Sequence, residues 1–181
     1  FRINMFRAGA HTHAAIRRVK AEIPSYEQLH LPPVYSKLVN ENSEGLILVV
    51  GVTGSGKSST LAAMVEQINQ TRSEHIITIE DPVEYRLVPK KSIISQREIG
   101  IDVVDYPTAL RYVVREDPDV VMIGELRDHQ TVLAAIQAAE TGHLVFGSMH
   151  TADTMQAFSR MLEFFPPSDH GFIRSAIANT L

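Results

Sequence analysis

One stretch of the chain decides its fold: Gly51-Val52-Thr53-Gly54-Ser55-Gly56-Lys57-Ser58. It contains every required position of the pattern G-x-x-x-x-G-K-[ST], in which glycines bend the backbone and successive N–H groups turn inward to cradle phosphate oxygens. An apolar run over 46–50 precedes it and predicts a buried strand, and apolar residues at helical spacing follow it over 61–68. This strand–loop–helix setting favours a phosphate loop over the alternative, a simple glycine-rich turn.

The side chains of the loop indicate what it holds. Lys57 supplies a positive charge at the β- and γ-phosphates, and the hydroxyl of Ser58 is a ligand for Mg²⁺. The N-terminus of the following helix adds a partial positive charge. We therefore expect a nucleoside triphosphate with Mg²⁺, bound by Gly51, Thr53, Gly54, Ser55, Gly56, Lys57, Ser58 and Ser59.

Composition limits the classes of protein that the chain can represent. It has 181 residues, a formal net charge of −4 and no cysteine, and 44% of its residues are hydrophobic. This length corresponds to about one domain with an additional segment. The negative net charge argues against an extended basic surface that binds nucleic acid. No apolar run approaches the roughly 20 residues that span a bilayer. The first residue is not Met and the last lies within a helical pattern, so we expect a fragment of a longer protein.

The apolar runs predict an α/β fold. Short runs without polar alternation are separated by helical patterns, which is typical of a mostly parallel sheet covered on both faces. The four predicted strands cover residues 46–50, 75–80, 120–123 and 143–150. Alternating character over 85–104 suggests a small hairpin in addition.

The chain divides into an attachment and a core. Residues 1–23 are basic and begin with an alternating, strand-like pattern, so we assign them to the end of a separate domain. Residues 24–33 are assigned as a linker, and residues 34–181 as the core that carries the phosphate loop.

Polar residues follow each of the four predicted strands. The strands end, in order, at the phosphate loop, at Glu80-Asp81, at Gly124-Glu125 and at His150. In an open parallel sheet the chemistry gathers beyond the carboxyl ends of the strands. We therefore expect these groups to converge on the nucleotide.

The carboxylates differ from the usual second nucleotide motif. That motif is four apolar residues followed by an Asp that helps hold Mg²⁺, whereas here Gly124 follows the apolar run and Glu125 comes one place later. We infer that Glu125 accepts a hydrogen bond from the attacking water and that Glu80 or Asp81 covers part of the second shell of the metal. The alternatives are a helix-start carboxylate for Glu125 and a simple turn for Asp81-Pro82.

Two histidines flank the fourth strand. Seven steps of about 3.3 Å place His143 and His150 about 23 Å apart, so one site can scarcely hold both. His150 lies at the end shared with the phosphate loop, where it can donate a hydrogen bond to the γ-phosphate. His143 lies at the far rim, and a structural role is the alternative for it.

Phosphoryl transfer also needs positive charge, often from an arginine of a neighbouring subunit. The candidates are Arg111, Arg115 and Arg127 near the strand ends, and Arg2 and Arg18 in the basic attachment. For each of them taken singly, a solvated or ion-paired surface arginine is the alternative.

Four motifs together resemble the secretion ATPase superfamily. They match its phosphate loop, Asp box, Walker B motif and His box in order, at residues 51–58, 79–84, 115–128 and 141–151. Within the superfamily the chain most resembles the type IV pilus retraction (twitching motility) ATPases. The features shared with that branch are Glu116, Glu140, Gln96-Arg97-Glu98 and Phe165-Pro166.

The resemblance implies a fold and an activity. It implies a RecA-like core preceded by the tail of a smaller α+β, PAS-like domain, with ATP and Mg²⁺ bound between the two. Glu125 would be the catalytic glutamate and Glu80 its Asp-box partner, Ser58 and Glu80 would serve the metal, and His143 and His150 would both be functional. The resemblance also implies that arginines near Arg2 and Arg18 reach the nucleotide.

The same resemblance implies an assembly. It implies a cytoplasmic homo-hexamer that reaches the inner membrane through a pilus platform protein, with no transmembrane segment and no nucleic acid. A pilus-assembly or type II secretion ATPase of the same superfamily is the nearest alternative. A P-loop kinase and a non-hydrolysing, nucleotide-dependent assembly module are alternatives of other classes.

Overall fold

The computed structural model describes residues 1–19 and 22–181, and the side chains of all of these except Arg2 and Arg17. None of the helices in these described ranges is both long enough and apolar enough to cross a membrane.

Strands and helices alternate along most of the chain. The strands are β1 (Arg2–Ala8), β2 (His11–Arg17), β3 (Gly45–Val50), β4 (His75–Glu80), β5 (Ile93–Glu98), β6 (Val120–Ile123) and β7 (Leu144–Met149). The α-helices are α1 (Pro33–Glu41), α2 (Lys57–Thr71), α3 (Tyr106–Val113), α4 (His129–Glu140), α5 (Thr154–Glu163) and α6 (His170–Thr180). Short 3₁₀ turns follow α3 and precede α6.

The main sheet is five-stranded and parallel, in the order β3-β7-β6-β4-β5. Its central strands β6 and β7 are buried at every residue, as expected for apolar runs covered on both faces. The prediction of an α/β fold with a mostly parallel sheet is therefore confirmed. The four predicted strands correspond to β3, β4, β6 and β7.

Helices cover both faces of this sheet. On one face, α1 and α2 pack through Val39, Met64 and Ile68 against Ile76 and Phe146. On the other face, buried residues of α3, α4, α5 and α6 cover the opposite side of the same strands. The alternate residues of each strand thus enter two separate apolar cores, and the carboxyl ends of the strands are left as the edge where loops meet.

The predicted hairpin over 85–104 is wrong. Its apolar and polar alternation belongs to β5, which pairs in parallel with β4 at the edge of the main sheet. Alternation identifies a half-buried strand but not its partner, and an edge strand alternates whichever neighbour it has. The parallel pairing places the carboxyl end of β5 beside that of β4.

The first two strands form a separate antiparallel hairpin, with Arg2 opposite Arg17. Its described side chains are exposed, including Ile3, Met5 and Ile16. The division into 1–23, 24–33 and 34–181 stays a prediction, and Lys20 and Ala21 near its first boundary lie outside the described residues. Helix α1 begins at Pro33, where Pro32 and Pro33 suit a helix start.

Candidate nucleotide-binding site

The phosphate loop joins β3 to α2. Gly56 precedes α2 with φ of +97°, a left-handed conformation that glycine adopts without a steric penalty. The ammonium of Lys57 is buried beneath the loop and donates to the carbonyls of Gly51 at 2.8 Å and Val52 at 3.1 Å. The lysine therefore holds its charge at the floor of the loop, where the backbone N–H groups of α2 begin.

A cavity of about 340 Å³ opens beside this loop. It is lined by Lys57 and Ser58 from the loop and by Glu80, Glu125 and His150 from the ends of three other strands. The structure thus brings together in one cavity four groups that lie far apart in sequence. Of the other predicted loop residues, Thr53, Gly54, Gly56 and Ser59 also line it, whereas Gly51 and Ser55 are not among its described lining residues.

Glu80 is the buried carboxylate of the cavity. It is the last residue of β4, is only 8% exposed, and accepts hydrogen bonds at Oε1 from Thr78 Oγ1 at 2.7 Å and Gln96 Nε2 at 3.1 Å. Burial raises the pKa of this carboxyl, while these hydrogen bonds and one from the backbone of Glu84 act in the opposite direction. The carboxylate is therefore held in place within a weakly solvated environment.

Glu125 and His150 lie next to each other above the loop. His150 Nε2 is 3.7 Å from Glu125 Oε1, and His150 Nδ1 is 3.3 Å from Thr53 Oγ1. Both side chains are partly exposed, at 38% for Glu125 and 45% for His150. An imidazole is thereby placed between the tip of the phosphate loop and the carboxylate after β6.

Gly124 occupies the position where the usual motif has aspartate, and a side chain there would be tightly packed. A Cβ on Gly124 would lie 3.1 Å from the hydroxyl of Tyr106, 3.3 Å from Glu80 Cα and 3.3 Å from the carbonyl oxygen of Ile79. The end of β6 is thus packed directly against β4 and α3. A side chain at this position would require Tyr106 or the backbone of β4 to shift by a few tenths of an ångström.

The sequence analysis did not identify Tyr106 as part of the site. It is the first residue of α3, is 2% exposed and lines the cavity. Burial and the neighbouring carboxylates, Asp81 first, raise the pKa of its hydroxyl, so it stays protonated. No local signal marks it, because one aromatic residue at a helix start is an ordinary core residue.

His143 lies at the opposite end of β7 from His150. Its Nδ1 is 2.9 Å from the carbonyl of Ala138 and 3.1 Å from Thr141 Oγ1, so it contacts the end of α4. It is not among the described residues that line the cavity. The structure therefore separates the two histidines, and a function for His143 stays a prediction.

The predicted arginines occupy different places. Arg127 lies at the rim of the cavity, with its guanidinium 3.7 Å from Asp81 Oδ2 and 5.1 Å from the centre of the Tyr106 ring. Arg111, Arg115 and Arg18 are exposed and are not among the described residues that line the cavity. The side chain of Arg2 lies outside the described residues.

The charge balance of the cavity is acidic. Its described lining contains the carboxylates Glu80, Asp81, Glu84 and Glu125 and a single lysine or arginine, Lys57. In the described part of the chain, no group of three or more His, Cys, Asp or Glu residues is arranged to hold a metal ion. A polyanion bound here would meet Lys57 and the backbone N–H groups at the start of α2, and Arg127 offsets the charge of Asp81.

Comparison with known proteins identifies the family. The model of the family "Type II/IV secretion system protein" matches residues 1–180. A twitching motility protein of Neisseria gonorrhoeae is 43% identical over 181 residues, which are 100% of this chain and 48% of that protein. A type IV pilus retraction ATPase, PilT, of Pseudomonas aeruginosa is 41% identical over 181 residues, which are 100% of this chain and 52% of that protein.

A solved structure has the same fold. The crystal structure of a pilus retraction motor, PilT, with bound ADP superposes with a TM-score of 0.95 at 47% identity, over 99% of this chain and 52% of that one. The chain thus spans about half the length of the relatives that it matches. The resemblance of its four motifs to the secretion ATPases is confirmed, and the chain belongs to the type II/IV secretion system protein family.

Proposed function

We propose that the protein containing this chain is an ATP-hydrolysing motor that powers type IV pilus retraction. The observation that carries the proposal is the cavity that joins Lys57 of the phosphate loop to Glu80, Glu125 and His150 at three other strand ends. The relatives named for twitching motility and pilus retraction match this chain over its whole length, which supports retraction as the task.

The residues of the cavity suit a nucleotide with Mg²⁺. The backbone N–H groups at the start of α2 and the ammonium of Lys57 would hold the phosphates, and the similar structure with bound ADP supports this placement. Mg²⁺ is usually bound by one or two protein oxygens together with phosphate oxygens and waters. Ser58 as ligand and Glu80 in the second shell fit that requirement, and the bound ion would neutralise charge on the transferred phosphoryl group.

The three side chains from the other strand ends each have a role in this proposal. Glu125 orients the attacking water through its carboxylate, and it is exposed enough for a water to reach it. His150 lies between Glu125 and Thr53, where it can donate to the terminal phosphate. Glu80, held by Thr78 and Gln96, orients the water shell of the metal.

The acidic cavity supports a ring. With Lys57 the single lysine or arginine beside four carboxylates among the described lining residues, an arginine in addition to the bound ion would stabilise the charge of the transferred phosphoryl group. We propose a homo-hexamer in which an arginine of the neighbouring subunit, from the segment around Arg2 and Arg18, supplies it. In this proposal the ring is cytoplasmic and acts at the inner membrane through a pilus platform protein.

Other functions remain as alternatives. The family name covers type II as well as type IV systems, which supports a pilus-assembly or type II secretion ATPase as the second candidate. A P-loop kinase would transfer phosphate only to an acceptor. A non-hydrolysing module would bind ATP tightly without turnover.

One substitution tests the hydrolytic role. In the full-length protein, Glu125→Gln removes the charge that orients water but keeps the side-chain shape, so kcat for phosphate release without an acceptor should fall by about 100-fold or more. The affinity for ATP, measured by fluorescence titration, should change by less than about threefold, because the described partner of the Glu125 carboxylate is His150 and the phosphates are held by the loop.

The matched control is Glu41→Gln, an exposed glutamate of α1 that pairs only weakly with Lys37. It should leave both kcat and ATP affinity unchanged. Normal turnover by the Glu125→Gln variant would refute the role of Glu125. If neither the wild type nor the control releases phosphate, the non-hydrolysing module is favoured. Release that depends on an added acceptor would favour the kinase.

A further inference from the structure

The edge strand β5 contributes a fully engaged amide to the cavity. Gln96 Oε1 accepts a hydrogen bond from the backbone N–H of Leu87 at 2.8 Å. Its Nε2 donates to the carbonyl of Tyr85 at 3.0 Å and to Glu80 Oε1 at 3.1 Å. One side chain thus connects the carboxylate at the end of β4 to the backbone of the segment that follows it.

These partners allow only one orientation of the amide. The Leu87 N–H requires the oxygen of Gln96, and the Tyr85 carbonyl requires its nitrogen, so a flipped amide would lose both hydrogen bonds. The second N–H of Nε2 is then directed at Glu80 and needs an acceptor there. The backbone of residues 85–87 therefore determines the direction from which Glu80 is held.

Thr78 and Glu98 lie on the same face of the sheet as Glu80 and Gln96 and make further hydrogen bonds there. Parallel pairing sets Thr78 opposite Gln96 and Glu80 opposite Glu98, so all four side chains share one face of the sheet. Thr78 donates to the same carboxylate oxygen as Gln96, and Glu98 accepts a hydrogen bond from the backbone of Val83 at 3.0 Å. Gln96 and Glu98 thus clamp the segment after Glu80 from the edge strand.

We propose that Gln96 is the positioning residue for Glu80: it holds one carboxylate oxygen on β4 so that the other remains directed toward the metal-binding side of the cavity. This inference deepens the proposed function and rests on it. Gln96 lines the cavity, but the two N–H groups of its Nε2 donate to Tyr85 and Glu80, so neither is left to donate to a phosphate. Its effect on the metal should therefore be exerted through Glu80, and any effect through the backbone of residues 85–87 should persist when Glu80 is replaced.

The test uses the full-length protein and replaces Gln96 by Met, which matches its volume but cannot hold Glu80. Substitution of an outer-shell group, which Glu80 is in the proposed function, lowers metal affinity or activity by about 10- to 100-fold, and misorienting Glu80 should act at the lower end of this range. We expect Gln96→Met to weaken Mn²⁺ binding to the ADP complex by about 10-fold, measured by electron paramagnetic resonance, and to lower kcat for ATP by a similar factor. Affinity for ADP without a divalent ion should stay within about twofold of wild type, because the phosphate loop is untouched.

A double-mutant cycle separates positioning from general support of the strand. If Gln96 acts through Glu80, Gln96→Met should change Mn²⁺ affinity and kcat by less than about twofold when Glu80→Gln is already present. The control Ser95→Ala removes a hydroxyl on the opposite face of β5, one that contacts His75, and should leave both quantities unchanged. Gln96→Glu, which keeps the acceptor for Leu87 but places a carboxylate against Glu80, should weaken Mn²⁺ binding at least as much as Gln96→Met.

The outcomes are distinct. Unchanged Mn²⁺ affinity in a folded Gln96→Met protein, or an equal loss with and without Glu80→Gln, would overturn the positioning role. If Gln96→Met fails to fold, the Mn²⁺ affinity of the Gln96→Glu variant decides in its place. If wild type hydrolyses no ATP, the proposed function fails, and the Mn²⁺–ADP titration still decides whether Gln96 positions Glu80.

Discussion

At the scale of single residues, the cavity depends on two side-chain donors to Glu80 and on the glycine that follows β6. The buried carboxylate of Glu80 accepts hydrogen bonds from the side chains of Thr78 and Gln96. A Cβ on Gly124 would lie 3.1–3.3 Å from the hydroxyl of Tyr106 and from the backbone of β4. A carboxylate on Glu125, one residue later, reaches the cavity from a position where the chain has left the sheet.

Gly124→Ala tests this packing. The added Cβ would meet Ile79 and Glu80 backbone atoms at 3.3 Å, and backbone moves less readily than the end of a side chain. We expect a loss of about 1–3 kcal/mol in the free energy of unfolding, seen as a lower thermal midpoint in the full-length protein.

Gly171→Ala is the control for this substitution. Gly171 lies in the first turn of α6, and a Cβ there would meet nothing within 4 Å. Alanine also suits a helix better than glycine, by about 0.5–1 kcal/mol, so the thermal midpoint should stay the same or rise. Equal midpoints for the two variants would contradict the account of Gly124.

At the scale of elements, the site exists because four strands run in the same direction. The phosphate loop, Glu80, Glu125 and His150 follow β3, β4, β6 and β7, whose carboxyl ends meet at one edge of the sheet. Helices α2, α3 and α4 return the chain to the amino ends of the strands after β3, β5 and β6, whereas residues 81–92 do so after β4 without a helix. α4 is important in this respect, because it begins just after Glu125 and must start at a defined residue.

Asp128 sets the start of α4. Its carboxylate accepts the N–H of Thr131 at 2.8 Å, and the hydroxyl of Thr131 in turn accepts the N–H of Asp128 at 3.2 Å. Asp128→Ala should lower the free energy of unfolding by about 1 kcal/mol, measured by urea denaturation of the full-length protein. Asp128→Ser should recover most of this loss, and equal stabilities of the alanine and serine variants would show that the cap contributes little.

At the scale of the whole molecule, the acidic lining of the cavity predicts assembly. Glu80, Asp81, Glu84 and Glu125 face Lys57 among the described lining residues, and the proposed reaction adds the charge of a triphosphate. We expect the full-length protein with ATP and Mg²⁺ to have six times the mass of its monomer by light scattering. A protein that hydrolyses ATP as a monomer would contradict the ring and the arginine in trans.

What the sequence by itself determined was local. The phosphate loop, the four strands and the helix that follows the loop could be predicted, because backbone freedom and apolar periodicity act between residues a few positions apart. The gathering of Glu80, Glu125 and His150 could be predicted as well, because parallel strands leave their carboxyl ends at one edge.

Only the tertiary structure decided which distant residues touch. Three interactions depend on strand order and on packing between elements far apart in the chain. They are the pairing of β5 with β4, the hydrogen bond from Gln96 to Glu80, and the packing of Tyr106 beside Gly124. No local pattern specifies which distant strand a given strand pairs with. The alternation over residues 85–104 therefore predicts a hairpin, whereas the structure has the edge strand β5. The same pattern of residues fits either partner, and the free energy of packing in the complete fold selects one of them.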